Sequence, residues 1–86
     1  MLIIIELYMV SIKLFTAEWC GPCHMLKSML EQKSLKVDMV DVDDEPELIR
    51  EFGVKSVPTL LIKRSKDDFE LVKGFDEIVE AIETNK

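Results

Sequence analysis

The sequence predicts one α/β domain with a mixed central sheet and the element order β-α-β-α-β-β-α. Short β-prone runs alternate with segments whose apolar residues have helical spacing, which favours parallel strand pairing in the first half of the chain. Two apolar runs near the end are separated by a polar stretch, which is typical of an antiparallel hairpin. The chain has 86 residues, of which 48% are hydrophobic. Residues 1–86 are therefore expected to form a single domain with one core.

The first strand and helix are predicted from two different spacings. Apolar residues alternate in part over 9–16, which predicts a strand. A helix is predicted over about 20–32, because four apolar residues recur there at helical spacing. These are Met25, Leu26, Met29 and Leu30. The apolar segment from Leu2 to Leu7 must extend the first strand or fold back on it, since a parallel crossover needs a dozen or more residues.

A second strand and a short helix are predicted in the middle of the chain. Residues 35–43 indicate a buried strand, in which valines alternate with aspartates. Asp44 or Glu45 can cap the helix that follows, Pro46 suits its first turn, and Gly53 ends it. The inner face of this helix consists of Leu48, Ile49 and Phe52.

The last third of the chain predicts a hairpin and a final helix. Apolar runs over 59–62 and 69–72 flank a polar stretch, which indicates two antiparallel strands. Asp76 can cap a helix after them. Its predicted inner face consists of Ile78, Val79 and Ile82.

Net charge and hydropathy disfavour several classes of function. The formal net charge is −6, so phosphate backbones and polybasic membrane docking are disfavoured, and neither nucleic acid nor a membrane is expected as a partner. The start of the chain has no Lys or Arg before its apolar stretch, no A-x-A-like cleavage site follows, and no apolar run is long enough to span a bilayer. A reducing cytoplasm is therefore the expected location.

Two cysteines, Cys20 and Cys23, lie three positions apart at a predicted strand-to-helix junction. A bond between them would close a very short loop and constrain the unfolded chain little, which favours chemistry over a structural role. At the helix N-terminus, unpaired N–H groups and the helix dipole lower the pKa of a thiol. Cys20 is therefore expected to attack a substrate disulfide, and Cys23, one turn further in, to resolve the mixed disulfide.

Two motifs in the chain resemble those of the thioredoxin family. Residues 17–23 read Ala-Glu-Trp-Cys-Gly-Pro-Cys, and residues 56–59 read Ser-Val-Pro-Thr, with Pro58 lying 35 positions after Cys23. The resemblance implies a thioredoxin fold with helices on both faces of the sheet. It also implies a protein-disulfide reductase with a redox-active Cys20–Cys23 disulfide, Cys20 as nucleophile, Cys23 as resolving thiol and a cis peptide before Pro58.

The resemblance also implies a substrate-binding surface and a set of partners. The residues expected to contact substrate are Trp19, Gly21, Pro22, Val57, Pro58 and Thr59. Partners would be disulfide-containing target proteins, ribonucleotide reductase among them, and a thioredoxin reductase or glutathione-type electron donor. A monomer without cofactor or metal is expected.

The chain departs from the family pattern at several positions. The family's buried Asp is Leu14 here and its partner Lys is Met39, so both members of an ion pair are replaced together and neither is left unpaired. This removes the carboxylate that assists proton transfer at the second cysteine in the family. We expect no counterpart of the extra strand and helix that begin full-length members, because these 86 residues have no room for both.

Four alternative functions depend on particular residues. Cys20-x-x-Cys23-His24 matches a c-type haem attachment pattern, and the same three side chains could take part in a zinc site that needs a fourth ligand. A scaffold role would not require both cysteines. A glutaredoxin-like protein would usually carry Pro-Tyr between them.

His24 is either a solvated helix residue or a positive charge that stabilises a thiolate. The acidic run over 41–47 is interpreted as a solvated strand end and helix start.

Overall fold

The computed structural model describes residues 10–65 and 67–85. Within these ranges four strands and three helices follow in the predicted order, which confirms the predicted fold class. The elements are β1 (Ser11–Thr16), α1 (Gly21–Gln32), β2 (Asp38–Asp41), α2 (Pro46–Phe52), β3 (Thr59–Lys63), β4 (Phe69–Lys73) and α3 (Phe75–Asn85). The segment from Leu2 to Leu7 lies outside the described residues, so its expected relation to the first strand stays a prediction.

The four strands form one mixed sheet in the order β2-β1-β3-β4. β1 runs parallel to β2, with Leu14 opposite Met39, and antiparallel to β3, with Leu14 also opposite Leu60. β3 and β4 form the antiparallel hairpin that the two apolar runs predict. β1 is therefore a central strand, and its carboxyl end leads directly into the cysteine segment.

Helices cover both faces of the sheet, as predicted. Leu14 and Phe15 are both fully buried and belong to different core clusters, because successive side chains of a strand point to opposite faces. The cluster beneath α1 and α3 contains Leu14, Leu26, Leu30, Leu60, Ile62, Ile78 and Ile82. The cluster beneath α2 contains Phe15, Phe52, Val54 and Leu61. None of the helices in the described ranges has the length and apolarity to cross a bilayer.

The second strand differs from the prediction in length and in burial. β2 contains only Asp38–Asp41, and Met39 on it is 40% exposed. The chain leaves α1 through Ser34, whose φ is 57°, and Leu35 donates its backbone N–H to Leu30 O at 2.9 Å. Leu35 therefore packs into the core without pairing in the sheet. Alternating valines and aspartates describe an edge strand equally well.

Of the predicted caps of the last two helices, Glu45 is confirmed by its position, whereas Asp76 is wrong. Glu45 occupies the N-cap of α2, but its side chain makes no cap hydrogen bond. The backbone N–H groups of Asp44 and Glu45 instead both donate to Asp41 O, which forms a tight turn. α3 begins at Phe75, so Asp76 lies in its first turn, where a carboxylate still interacts favourably with the helix dipole.

Gly53 ends α2 in a left-handed conformation, with φ 68° and ψ 35°. A Cβ at this position would meet no atom within 4 Å, so the cost of a side chain comes from the backbone alone. We expect Gly53→Ala to lower the free energy of unfolding by about 1 kcal/mol in a urea titration. Gly21→Ala is the matched control, because Gly21 is equally unobstructed and has no positive φ. Equal losses in the two variants would contradict this explanation.

Candidate active site at the start of helix α1

The two cysteines occupy the N-cap and the first turn of α1. Cys20 is the N-cap residue, with extended backbone angles of φ −96° and ψ 107°, and Pro22 lies in the first turn. The N–H of Cys20 donates to Ala17 O at 3.1 Å, which turns the chain from β1 into the helix. Cys20 and Cys23 are joined as a disulfide, and their Cα atoms are 5.3 Å apart. Both sulfurs therefore belong to one rigid helix start.

The two cysteines have different surroundings, which suits different roles. The backbone N–H of Cys23 donates to Cys20 Sγ at 3.2 Å, and such a donor stabilises negative charge on the sulfur when the bond is reduced. Cys20 Sγ also lies 3.7 Å from Val57 O. Both residues are buried, Cys20 at 5% exposure and Cys23 more deeply at 1%. The arrangement can hold a thiolate at Cys20 and keeps Cys23 behind it.

The loop before β3 lies beside the cysteine pair. The peptide between Val57 and Pro58 is cis, and both residues are half-buried. Thr59, predicted to contact substrate, is fully buried, and its hydroxyl donates to Ser56 O at 2.7 Å. Its side chain therefore supports the loop from beneath rather than facing the surface. Gly21 and Pro22, which lie between the two cysteines in the chain, are exposed.

Trp19 stands beside the disulfide and is 69% exposed. Its indole Nε1–H donates to Asp43 Oδ2 at 3.1 Å, although 24 positions separate the two residues. The ring borders an apolar hollow of about 170 Å³ next to the cysteines. The apolar side chains that line the hollow with Trp19 are Val42, Ile49, Val54 and Val57. An exposed aromatic ring held by a hydrogen bond is suited to contacting another molecule.

Sequence reasoning missed Asp43 and the residues that line this hollow. Asp43 belongs to the acidic run over 41–47, which the sequence alone predicts to be a solvated strand end and helix start, and nothing in the linear sequence links it to Trp19. The tight turn after β2 is the reason for the contact, since Asp43 N–H also donates to Asp41 Oδ1 at 2.8 Å. The indole N–H of Trp19 needs a hydrogen-bond acceptor. That need is the signal in the sequence that could have indicated a nearby carboxylate.

His24 bridges the start of α1 and the loop before it. Its Nε2 lies 2.7 Å from Glu18 O, and because a carbonyl oxygen only accepts, Nε2 donates in this contact. The ring is exposed, so it lies at the rim of the site. Within residues 10–65 and 67–85, no three side chains of the metal-ligating types come together.

Comparisons with known proteins agree with this architecture. The Thioredoxin family model matches residues 6–84. The thioredoxin of Listeria monocytogenes is 43% identical over 67 residues, which cover 71% of this chain and 65% of that protein. The chain thus matches slightly under two thirds of this relative's length. A bifunctional thioredoxin reductase/thioredoxin of Mycobacterium leprae is 44% identical over 54 residues, covering 56% of this chain and 12% of that protein.

Solved structures show the same fold. The thioredoxin of Malassezia sympodialis superimposes with a TM-score of 0.72 at 26% identity, covering 88% of this chain and 74% of that one. The predicted thioredoxin fold is thereby confirmed. Since the family model spans most of the chain and includes both motifs, the chain belongs to the thioredoxin family.

Proposed function

We propose that this protein is a thiol-disulfide oxidoreductase that reduces disulfides in other proteins. The observation that carries the proposal is the placement of Cys20. Its sulfur lies at the N-terminus of α1, receives the N–H of Cys23 at 3.2 Å, and has the nearly inaccessible Cys23 within disulfide reach. A nucleophile stabilised as a thiolate and a protected second thiol are the two groups that disulfide exchange requires.

The proposed cycle moves two electrons from the dithiol form to a target. The Cys20 thiolate attacks one target sulfur, so a Cys20–target bond forms, the target disulfide breaks, and its other sulfur leaves as a thiolate. The Cys23 thiolate then attacks Cys20 Sγ, which forms the Cys20–Cys23 bond and expels the second target thiolate. The two protons lost by the cysteines reach the target sulfurs through solvent. The protein is oxidised and the target is reduced to a dithiol.

The surface around Cys20 suits an extended polypeptide as substrate. Val57 brings its backbone next to the cysteine pair, where an incoming strand can pair with it. The hollow beside Trp19 can take an apolar side chain that flanks the target cysteine. We assign substrate contact to Trp19, Gly21, Pro22, Val57 and Pro58, with Thr59 supporting the loop. We also assign to His24 a modulating role through its contact with the loop that carries Trp19.

The proposed partners follow from the chemistry and from the relatives. The oxidised form needs a two-electron donor, and the M. leprae relative is described as a thioredoxin reductase joined to a thioredoxin. We propose a thioredoxin reductase as the donor and protein disulfides as acceptors, with ribonucleotide reductase as one candidate target. We also propose that the protein acts as a monomer. A reducing cytoplasm suits a pair of thiols that must be returned to the dithiol form after each turnover.

An insulin assay tests the proposed activity and its donor. With dithiothreitol supplied, the protein is expected to accelerate the reduction of insulin disulfides, measured as precipitation of the free chains. Thioredoxin reductase with NADPH is then compared with glutathione and glutathione reductase as the source of electrons. Failure to accelerate insulin reduction would remove the proposal, whereas preference for glutathione would favour a glutaredoxin-like coupling.

The bond between Trp19 and Asp43 predicts a change in substrate affinity. Asp43→Ala removes the acceptor of the indole N–H, and the net contribution of such a hydrogen bond is about 0.5–1.5 kcal/mol. We therefore expect the KM for insulin to rise about two- to tenfold, and the fluorescence anisotropy of Trp19 to fall. Asp43→Asn retains an oxygen acceptor and should lie between wild type and Asp43→Ala. An unchanged anisotropy in Asp43→Ala would contradict this role.

A further inference from the structure

The resolving step needs a group that accepts the proton of the Cys23 thiol. This thiol must lose a proton before it can attack Cys20, yet Cys23 is 1% exposed. Burial of a thiol disfavours its charged form, so it gives up its proton reluctantly. Leu14, which stands where the family has a buried carboxylate, is apolar and fully buried. Leu14 cannot accept a proton, so the proton of Cys23 must pass to a different group.

A cavity of about 160 Å³ reaches Cys23 and shares no lining residue with the apolar hollow beside Trp19. It is large enough to admit water, which occupies about 30 Å³ per molecule. Four ionisable side chains line it, from three parts of the structure. They are Glu18 in the loop after β1, His24 and Lys27 on α1, and Asp41 at the end of β2.

Asp41 is the best placed of these groups to take a proton from Cys23. It is half-buried, whereas Glu18 and His24 are exposed, and the Nε2 of His24 already donates to Glu18 O. The Asp41 carboxylate is also held in place, because its Oδ1 accepts the N–H of Asp43 at 2.8 Å. Asp41 lines the same cavity as Cys23.

We propose that Asp41 accepts the proton of Cys23 across this cavity during the resolving step. The Cys23 S–H bond breaks, its proton passes by way of water to the Asp41 carboxylate, and the electron pair stays on sulfur. That thiolate then forms the Cys20–Cys23 bond and expels the target thiolate, and Asp41 returns its proton to solvent. Lys27, one helical turn after Cys23, supplies a positive charge that favours the thiolate. The inference rests on the proposed disulfide exchange.

Asp41→Asn isolates the carboxylate. The asparagine oxygen can still accept the Asp43 N–H, so the turn and the Trp19 contact are retained, which an unchanged Trp19 fluorescence anisotropy would verify. Glu18→Gln is the matched control, because it removes a different carboxylate from the same cavity. Each reduced protein is mixed one to one with the aromatic disulfide 5,5′-dithiobis(2-nitrobenzoate) in a stopped-flow instrument.

The release of two thionitrobenzoate ions separates the two steps. Attack by Cys20 releases the first, and attack by Cys23 releases the second. We expect Asp41→Asn to slow the second release by about tenfold or more near pH 7, since proton transfer by a positioned group contributes at least that much. The deficit should shrink as pH rises above about 8.5, the ordinary range of a thiol, because hydroxide then removes the proton without the carboxylate. Glu18→Gln should show no deficit.

Several results would overturn the inference. A second release as fast in Asp41→Asn as in wild type would exclude this role, and so would a deficit in Glu18→Gln of the same size. A deficit that is the same at every pH would indicate a structural effect instead. A wild-type protein that releases no first thionitrobenzoate would contradict the proposed exchange reaction itself, so the two failures are distinguishable.

Discussion

Replacing Cys20 with serine is expected to abolish the reduction of insulin. A serine hydroxyl is not ionised near neutral pH and cannot replace a thiolate stabilised by the Cys23 N–H. Loss of a nucleophile from a group of residues that act together typically costs a factor on the order of 10³ or more. The rate of insulin precipitation with dithiothreitol, corrected for the uncatalysed rate, measures the effect.

Cys23→Ser is the matched control for this prediction. It keeps the nucleophile and removes only the resolving thiol, so the first attack should proceed and the mixed disulfide should accumulate. Intact mass spectrometry after exposure to a target disulfide should show the adduct in Cys23→Ser and not in Cys20→Ser. If the adduct formed on Cys23 in Cys20→Ser instead, the assignment of the two roles would be reversed.

Leu14→Asp is expected to have the largest effect on stability. Leu14 is fully buried in the cluster beneath α1 and α3, and a carboxylate there would have no buried charge to pair with. An uncompensated buried charge costs about 3–5 kcal/mol, a large share of the 5–15 kcal/mol that stabilises a typical domain. Urea titration at neutral pH measures the loss in the free energy of unfolding.

The pH dependence of the free energy of unfolding of Leu14→Asp shows whether the loss of stability comes from the charge or from the changed shape of the side chain. Burial raises the pKa of the introduced carboxyl in the folded protein, so the unfolded chain releases its proton first as pH rises. The loss of stability should therefore be smallest below about pH 4, the ordinary range of a carboxyl, and should grow above it. Leu14→Asn, which is similar in shape and uncharged, should lose stability without this pH dependence. A pH-independent loss in Leu14→Asp would contradict the prediction.

Met39 provides a further test of the same site. Its Cα is paired with that of Leu14 across β1 and β2. Adding Met39→Lys to Leu14→Asp introduces a charge of opposite sign on the neighbouring strand. We expect the double variant to be more stable than the sum of the single losses implies, measured as the interaction energy of a double-mutant cycle.

The order of the elements and the position of the cysteine pair could be predicted because both depend on local patterns. Helical spacing indicates α1, two apolar runs indicate the β3–β4 hairpin, and Gly53 marks the end of α2. The motif places Cys20 at a strand-to-helix junction, and Cys20 is the N-cap of α1 in the structure. Each of these inferences needs only residues that are close together in the chain.

Features that depend on contacts between distant segments could not be predicted. The pattern of β2 does not distinguish a buried strand from an edge strand, because alternating valines and aspartates suit both. The contact between Trp19 and Asp43 joins residues on two loops, and the cavity beside Cys23 brings together groups from α1, β2 and a loop. Such neighbours become evident only once the register of β1 and β2 is known.

The two cysteines occupy the N-cap and the first turn of one helix, so the bond between them closes a loop that contains only two other residues. Opening it therefore releases no distant segment of the chain. The balance between the two forms is therefore set by the few groups that touch the sulfurs, whereas the free energy of unfolding is set by the apolar clusters on the two faces of the sheet. Substitutions around the sulfurs should therefore change the reduction potential, and substitutions in the two clusters the free energy of unfolding, almost independently of each other.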